Sequence, residues 1–380
     1  MNILFVTGFC AHYRVKTFEM LHQRTNVEYL FFSDGAEKYW DKRHGVQLGE
    51  FHGSYLGGVR VFGTRIIPSL ILRLLFTKFD LVIKCVGGRF ALPATYIIAE
   101  LRRKPFILWT NLWYHPATLF HRVSRPLTQW IYRHADAVVA CGIHVERYLI
   151  DRGVDRDRIF LSQQAVNNSL FSVQPSPSEK DALRRELRAE KGKIVLYVGR
   201  YDRIKGLEYL VEGFATLTNI NAMLVLVGEG RERSRIASMV HEKGLGEKVI
   251  FRNYVPNHQL PLYYAVANVL VLPSITIRDV KEVWGLVINE AMNQGCPVIA
   301  TSAVGAVAGG LVQDGRTGYV VPERNAGAIT QSLERILTND AIEKEMRAAA
   351  LEEIAKWTYD RQVQGFVDAI RFVNRGRIRV

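Results

Sequence analysis

Two carboxylates, Glu282 and Glu290, bracket the apolar stretch Val283-Trp284-Gly285-Leu286-Val287-Ile288-Asn289. An unpaired buried charge is costly, so carboxylates at both ends of such a run need partners or a ligand. Gly295-Cys296-Pro297 then introduces Val298-Ile299-Ala300-Thr301, an order that reads as loop, buried helix, Gly stop and strand. A helix over residues 285–294 leaves Glu282 in the loop before its N-terminus and Glu290 about a turn and a half inside. Helical rise between the two then separates them by roughly 12 Å, which suits the two ends of an extended ligand better than one acid/base pair. The N–H groups of Gly285, Leu286 and Val287, without intrahelical acceptors, attract an anion between them. Hydroxyls at both ends with phosphates in the middle describe a nucleotide sugar. A buried helix with one capping Glu and one solvated Glu would show the same spacing.

A second constellation lies in Val198-Gly199-Arg200-Tyr201-Asp202-Arg203-Ile204-Lys205-Gly206. A strand ends at Gly199, and Lys205-Gly206 introduces an amphipathic helix over residues 207–217. Arg200 and Lys205 bracket the loop, so a planar bidentate donor and a point charge both reach a diphosphate; two solvated loop cations are the other reading. The spacing is not that of a P-loop. Gly228-Glu229-Gly230 ends the next strand in the same way, and Gly lets backbone approach a ligand closely. Gly8 closes the first strand of the chain and leads into Phe9-Cys10-Ala11-His12-Tyr13-Arg14, so His12, Tyr13 and Arg14 are candidates for the acceptor side of a site. No full Gly-x-Gly-x-x-Gly fingerprint with its downstream acid occurs, which argues against a dinucleotide oxidoreductase.

These loops need strands to hold them. Short β-branched runs alternate with helix-length segments, the pattern of parallel sheets covered by helices. The first half predicts strands at 3–7, 27–32, 81–85, 106–110, 137–141 and 159–162; the second at 194–198, 223–227, 249–252, 269–272, 298–300 and 319–321. Two Rossmann-like domains follow, with ligands expected at the carboxyl ends of their strands and in a cleft between them. Ser172-Val173-Gln174-Pro175-Ser176-Pro177-Ser178 has linker composition, so the expected domains are 1–173 and 174–357. A charged helix at 181–191 leads into the second. The last helix, in 358–380, is expected to pack back on the first.

A length of 380 residues suits two domains, and 48% hydrophobic with 23% charged residues is globular composition. No stretch matches a membrane span or the long apolar region of a signal peptide. Cys10, Cys85, Cys141 and Cys296 are widely spaced, which predicts free thiols, a reducing cytoplasm and no zinc site. The net charge of +13 is uneven: residues 1–170 hold 22 Lys+Arg against 13 Asp+Glu, leaving 28 against 24 for the rest. With the apolar-basic stretch 65–78, this points the first domain towards an anionic membrane surface, with a core helix bearing solvated basic ends as the other reading. No nucleic-acid motif appears.

Taken together, Gly199-Arg200 with Lys205-Gly206, Val271-Leu272-Pro273-Ser274, the Glu282 to Met292 segment with Gly295-Cys296-Pro297-Val298-Ile299-Ala300, and Asp314-Gly315-Arg316-Thr317-Gly318-Tyr319-Val320-Val321 make the chain resemble a retaining glycosyltransferase of family 4. The resemblance is dense in the second domain and rests on strand pattern alone in the first. It implies the GT-B fold, α/β, with two Rossmann-like α/β/α domains facing a central cleft. It further implies that Arg200 and Lys205 hold the diphosphate and neutralise the leaving group. Glu290 would bind the ribose, and Glu282 the sugar hydroxyls near the reacting carbon. The N–H groups of Leu286 and Val287 would meet donor oxygens, and the loop carrying Tyr254 and Val255 the base, with Gly8, Gly199, Gly228 and Gly285 also on the donor. No metal or other cofactor is implied.

The first domain departs from the pattern. Only Gly8 stands where many relatives carry a Gly-Gly pair. The His that relatives place near the reacting sugar is best matched by His115, in Asn111-Leu112-Trp113-Tyr114-His115-Pro116, with His12 second. A retaining mechanism can pass the acceptor proton to the departing phosphate, so no side-chain base is required. The expected function is a metal-independent hexosyl transfer from a nucleoside-diphosphate sugar to a saccharide or lipid-linked acceptor, in cell-surface polysaccharide or glycolipid assembly. A sugar-nucleotide epimerase or phosphorylase, and a non-catalytic protein binding anionic membranes, are the alternatives. The expected location is cytoplasmic, peripheral on the inner membrane face.

Overall fold

Runs that are apolar at every position produce strands buried on both faces, and β1 (Ile3–Thr7) is buried throughout. It is an inner strand of a parallel sheet completed by β2 (Val27–Phe31), β3 (Gly53–Tyr55), β6 (Leu81–Cys85), β7 (Phe106–Thr110), β8 (Ala137–Ala140) and β9 (Ile159–Leu161). A separate antiparallel hairpin joins β4 (Val59–Val61) and β5 (Thr64–Ile66). The computed structural model describes residues 1–33, 49–115 and 118–377. It divides into one unit of Met1–Gln164 with the chain from Tyr359 onward, and a second of Ala165–Thr358.

The first sheet has the order β3-β2-β1-β6-β7-β8-β9 among the described residues. Alternate side chains enter two separate cores. Leu4, Val6, Val82, Leu108 and Val138 face one, which takes in residues of the helices Pro68–Phe76, Ala91–Leu101 and Leu119–His134. Ile3, Phe5, Ile83, Ile107 and Val139 face the other, with Phe18 of the helix Val15–Thr25 and Phe366 of the helix Tyr359–Arg377. The second unit repeats the design with β10 (Lys193–Val198), β11 (Ala222–Val227), β12 (Val249–Arg252), β13 (Val269–Leu272), β14 (Val298–Thr301) and β15 (Gly318–Val321), in the order β12-β11-β10-β13-β14-β15. In each sheet the strand order reverses beside its first strand, at β1/β6 and at β10/β13. Ligands of open α/β sheets bind beyond the strand ends at such a reversal.

The second unit begins at Ala165 rather than at 174. Val166 and Phe171 are already buried in its core, and Asn168 Nδ2 donates to the carbonyl of Trp357 at 3.1 Å. The Pro/Ser composition read as a linker is instead a helix start. Ser176 and Glu179 form a reciprocal capping box, and Pro177 occupies the first turn, so the helix runs Pro177–Glu186 and not over 181–191. The short β3 and the hairpin have too few residues to show a period in the sequence. Stretch 65–78 splits between β5 and the helix Pro68–Phe76, which buries Leu70 and Leu74.

The last helix belongs to the first unit. Thr17 Oγ1 donates to Gln362 Oε1 and Ser162 Oγ to the Gln362 carbonyl, each at 2.8 Å. Gly365 permits the approach, since a Cβ there would stand 2.0 Å from the Leu161 carbonyl oxygen. Gly365→Val is therefore expected to cost about 1–3 kcal/mol by overpacking and to loosen the helix from β9. A lowered Tm with new proteolytic cleavage near Tyr359 would show it; unchanged protection would refute it.

Candidate active site

At the β10/β13 reversal two loops are locked together by backbone. After β10, residues Arg203–Lys205 form one 3-10 turn, and Ile275 N–H, beyond β13, donates to the Ile204 carbonyl at 2.8 Å. Gly206 follows at φ 60°, where a Cβ would stand 2.2 Å from the Pro273 carbonyl oxygen, so a side chain there would force the loops apart. Across this junction Lys205 Nζ meets Glu282 Oε2 at 2.5 Å, and Ser274 Oγ donates to the same oxygen at 3.3 Å. The two side chains are 13% and 17% exposed, so the pair is largely desolvated. Burial opposes ionisation of Glu282, but the Lys205 ammonium, then the Ser274 hydroxyl and the Arg200 charge, hold its carboxyl below the usual range.

The backbone of Glu282 is fixed as well. Gly305 N–H donates to the Glu282 carbonyl at 3.1 Å and Ala306 N–H to the Trp284 carbonyl at 2.8 Å. Trp284 is buried, with its indole N–H on Asn289 Oδ1 at 2.7 Å. Gly285 caps the helix Leu286–Met292 without a side-chain hydrogen bond, so Glu282 is not its cap. The helix is shorter than residues 285–294, because Gly295 N–H closes on Met292. The first-turn N–H groups of Leu286 and Val287 have no acceptor within so short a helix.

Glu290 stands in a different environment. Half-buried in the helix, it accepts from the hydroxyl of the buried Tyr264 at 2.6 Å. Burial pushes its carboxyl up to about 7 although the Tyr264 hydrogen bond works the other way. Glu282 and Glu290 thus differ in protonation at neutral pH, one held ionised by a cation and the other poised. Neither is the freely solvated Glu of the alternative reading.

The remaining second-unit candidates occupy neighbouring strand ends. Arg200, next to Gly199 after β10, is half-exposed and pairs with Asp202 at 2.7 Å. Gly228 ends β11, its N–H on the Arg252 carbonyl at 3.0 Å. Tyr254 follows β12, 46% exposed, with its N–H on Glu229 Oε1 at 3.4 Å, and Val255 packs against the core.

In the first unit the candidates lie after β1 and β7. Gly8 closes β1 with open space around its Cα, and His12–Arg14 forms a single turn, His12 and Tyr13 ring to ring at 5.3 Å. The Arg14 guanidinium lies 4.3 Å from the centre of the buried Trp109 ring of β7, a cation–π contact that fixes it. His115 Nε2 is 3.0 Å from the His121 carbonyl, which ties it to the helix Leu119–His134.

Several residues at these strand ends escaped the sequence reading. Lys84 of β6 is fully buried, its ammonium on the carbonyls of Cys85 at 2.6 Å and Gly87 at 2.7 Å and 4.4 Å from the Phe32 ring. Burial raises the Cys85 thiol, but the adjacent Lys84 charge and hydrogen bonds involving Thr7 and Gly87 bring it below its ordinary value. A Lys inside the apolar run Leu81-Val82-Ile83-Lys84 was the available signal. Tyr264 offered none, since it lies in an apolar helix like any core residue. Among the described residues no three His, Cys, Asp or Glu side chains gather to hold a metal ion. Asp155-Arg156-Asp157, the Asp-x-Asp triplet of the sequence, is a local cap in which Asp155 accepts from the Asp157 N–H at 3.0 Å.

Lys205→Met leaves Glu282 desolvated without its counter-charge and is expected to cost about 1–3 kcal/mol in urea unfolding, part of which Glu282→Gln restores. Additive effects would contradict the coupling. Glu290 makes stability depend on pH. With its folded value above the unfolded one, its contribution is full below about 4.5 and is lost as pH rises through about 7. Glu290→Gln should therefore raise Tm at pH 8 by about 2–4 °C and leave it unchanged at pH 4, as read by calorimetry.

Comparison with known proteins agrees with this geometry. A family model described as glycosyl transferases group 1 matches residues 179–355, and one described as glycosyltransferase family 4 matches residues 21–170. The alpha-D-kanosaminyltransferase of Streptomyces kanamyceticus is 30% identical over 276 residues, 69% of each chain. Among solved structures, Anabaena Alr3699/HepE in complex with UDP superposes with a TM-score of 0.79 at 19% identity, over 98% of this chain and 100% of that one. The lipopolysaccharide outer core galactosyltransferase WaaB superposes at 0.71 and 16%, over 97% and 99%. Two α/β domains with parallel sheets give the chain the architecture of these GT-B proteins. The chain belongs to the family 4 glycosyltransferases and is a GT-B glycosyltransferase.

Proposed function

We propose that the enzyme transfers a hexosyl group, with retention and without a metal, from a nucleoside-diphosphate sugar to a saccharide or lipid-linked acceptor in cell-surface polysaccharide or glycolipid assembly. The observation that carries this reading is the desolvated Lys205–Glu282 pair at the strand-order reversal, where an α/β sheet binds its ligand. An arriving diphosphate shares the Lys205 ammonium, and Arg200 turns from Asp202 to the same phosphates. Their charges offset the one that builds on the leaving group, the part a metal ion plays elsewhere. Glu282, relieved of part of its partner, accepts hydroxyls of the sugar. Glu290 ionises on accepting the ribose hydroxyls, with the N–H groups of Leu286 and Val287 on donor oxygens and Tyr254 and Val255 beside the base.

The bond from the anomeric carbon to the phosphate oxygen breaks as the acceptor oxygen bonds to the same face. The acceptor proton passes to the departing phosphate, which needs no side-chain base. His12, Tyr13 and Arg14 are assigned to the acceptor, and His115 to the reacting sugar. A nucleotide-sugar donor is supported by the HepE structures, which hold UDP and UDP-glucose, and the cell-surface role by the lipopolysaccharide context of WaaB.

Transfer from a panel of nucleotide sugars tests the reading. Arg200→Ala, Lys205→Ala and Glu282→Gln should each lower kcat by about 100-fold or more with folding intact. Glu290→Ala should act mainly on KM, chelation should leave the rate unchanged, and the product should keep the donor's anomeric configuration. Full activity in the first three variants would end the assignment.

A further inference from the structure

The helix Leu119–His134 presents three faces. Ile131 and Tyr132 turn into the core and are buried. At about 100° per residue, Leu119, Val123, Leu127 and Trp130 line a second apolar stripe beside the first. They are 78%, 75%, 44% and 55% exposed. Arg122, Arg125 and Arg133 occupy the third side, all exposed, and the helix has no Asp or Glu. One stripe folds the helix onto the sheet; the other faces water at a cost that isolated surface residues do not carry.

Adjoining helices extend the face. Pro68–Phe76 and Ala91–Leu101 pack on each other and share the same side of the sheet, so their outward surfaces point the same way. Phe76 and Leu101, on those surfaces, are 80% and 75% exposed. The Trp130 indole hydrogen bonds to Tyr96, and Arg102 donates to the carbonyls of Leu74 and Thr77 at 2.6 and 2.8 Å, which joins the three helices into one layer. From residue 68 to 134 the sequence carries ten Lys and Arg against two acids, Asp80 and Glu100.

We propose that this layer docks on an anionic lipid surface, with the Leu119–Trp130 stripe at the acyl boundary and the arginines among the headgroups. The combination of one exposed apolar stripe, a bordering Trp and a flank of a single positive sign is what an in-plane interfacial helix requires. A protein partner gives no reason for so complete a lack of acids. Among the described residues no helix is long and apolar enough to cross a membrane, so the contact is with the surface. The main element is this helix, not the 65–78 stretch to which sequence reasoning pointed. Nothing in the proposal depends on the identity of the donor.

Flotation of the full chain with phosphatidylcholine vesicles containing about 30% phosphatidylglycerol tests it, beside pure phosphatidylcholine and at low and high salt. Binding is expected to the anionic vesicles at low salt. Val123→Glu with Leu127→Glu should weaken it at least about 10-fold, and Arg122→Ser with Arg125→Ser should flatten its salt dependence. All four side chains are exposed, so circular dichroism and Tm should match the parent; Leu127→Ser is the milder substitute should the double variant fold poorly. Three results would overturn the proposal: no flotation with anionic vesicles at low salt, flotation unaffected by the glutamates, or sedimentation showing that the stripe instead holds two copies together.

Discussion

Lys205 and Glu282 lie 77 positions apart in sequence, and their contact exists only because β10 and β13 are neighbours in a sheet whose order reverses between them. Both charges are largely out of water, so each is tolerable only with the other in place. That requirement dictates the surroundings. The 3-10 turn at Arg203–Lys205, the Gly206 contact with Pro273, the Ser274 hydroxyl and the docking of Glu282 and Trp284 on Gly305 and Ala306 all hold the two loops in one arrangement. An anionic ligand that enters here exchanges one partner of Lys205 for another and avoids uncovering a bare charge.

The two glutamates show how one helix and its preceding loop can shift carboxylates in opposite directions. Glu282 has a cation and a hydroxyl to offset its burial; Glu290 has only the Tyr264 hydroxyl, and burial prevails. A carboxyl poised near neutrality gains most from a ligand whose hydroxyls favour the charged form. A carboxylate already ionised is suited to a fixed set of donors. The asymmetry therefore follows from their partners.

In the first unit the same economy of elements appears on a larger scale. The β1/β6 reversal sets Val6 against the buried Lys84 and Thr7 within hydrogen-bonding reach of Cys85, and the Arg14 charge is fixed over Trp109. One face of this sheet is closed by the Val15–Thr25 and Tyr359–Arg377 helices. The other is closed by three helices whose outward sides keep apolar residues in water. A protein gains no stability by that arrangement, so its explanation lies in what the unit meets.

Except for the short β3, the strands of both sheets were legible because buried parallel strands are largely continuous apolar runs, and that signature survives without any tertiary knowledge. The loops after β10, β11 and β13 were legible for a related reason, since Gly, Arg, Lys and Glu at strand ends break the apolar run. The sequence by itself thus determined the two parallel sheets, the order of their loops and the residues able to carry charge at them. It misplaced the start of the second unit, because Pro and Ser serve a helix cap as readily as a linker. Only the tertiary structure decided that Lys205 and not solvent neutralises Glu282, that Tyr264 serves Glu290, and that Leu127 and Trp130 stay outside while Ile131 goes in. Periodicity reports that a side chain is apolar or charged, but its partner and its face are set by which strands become neighbours.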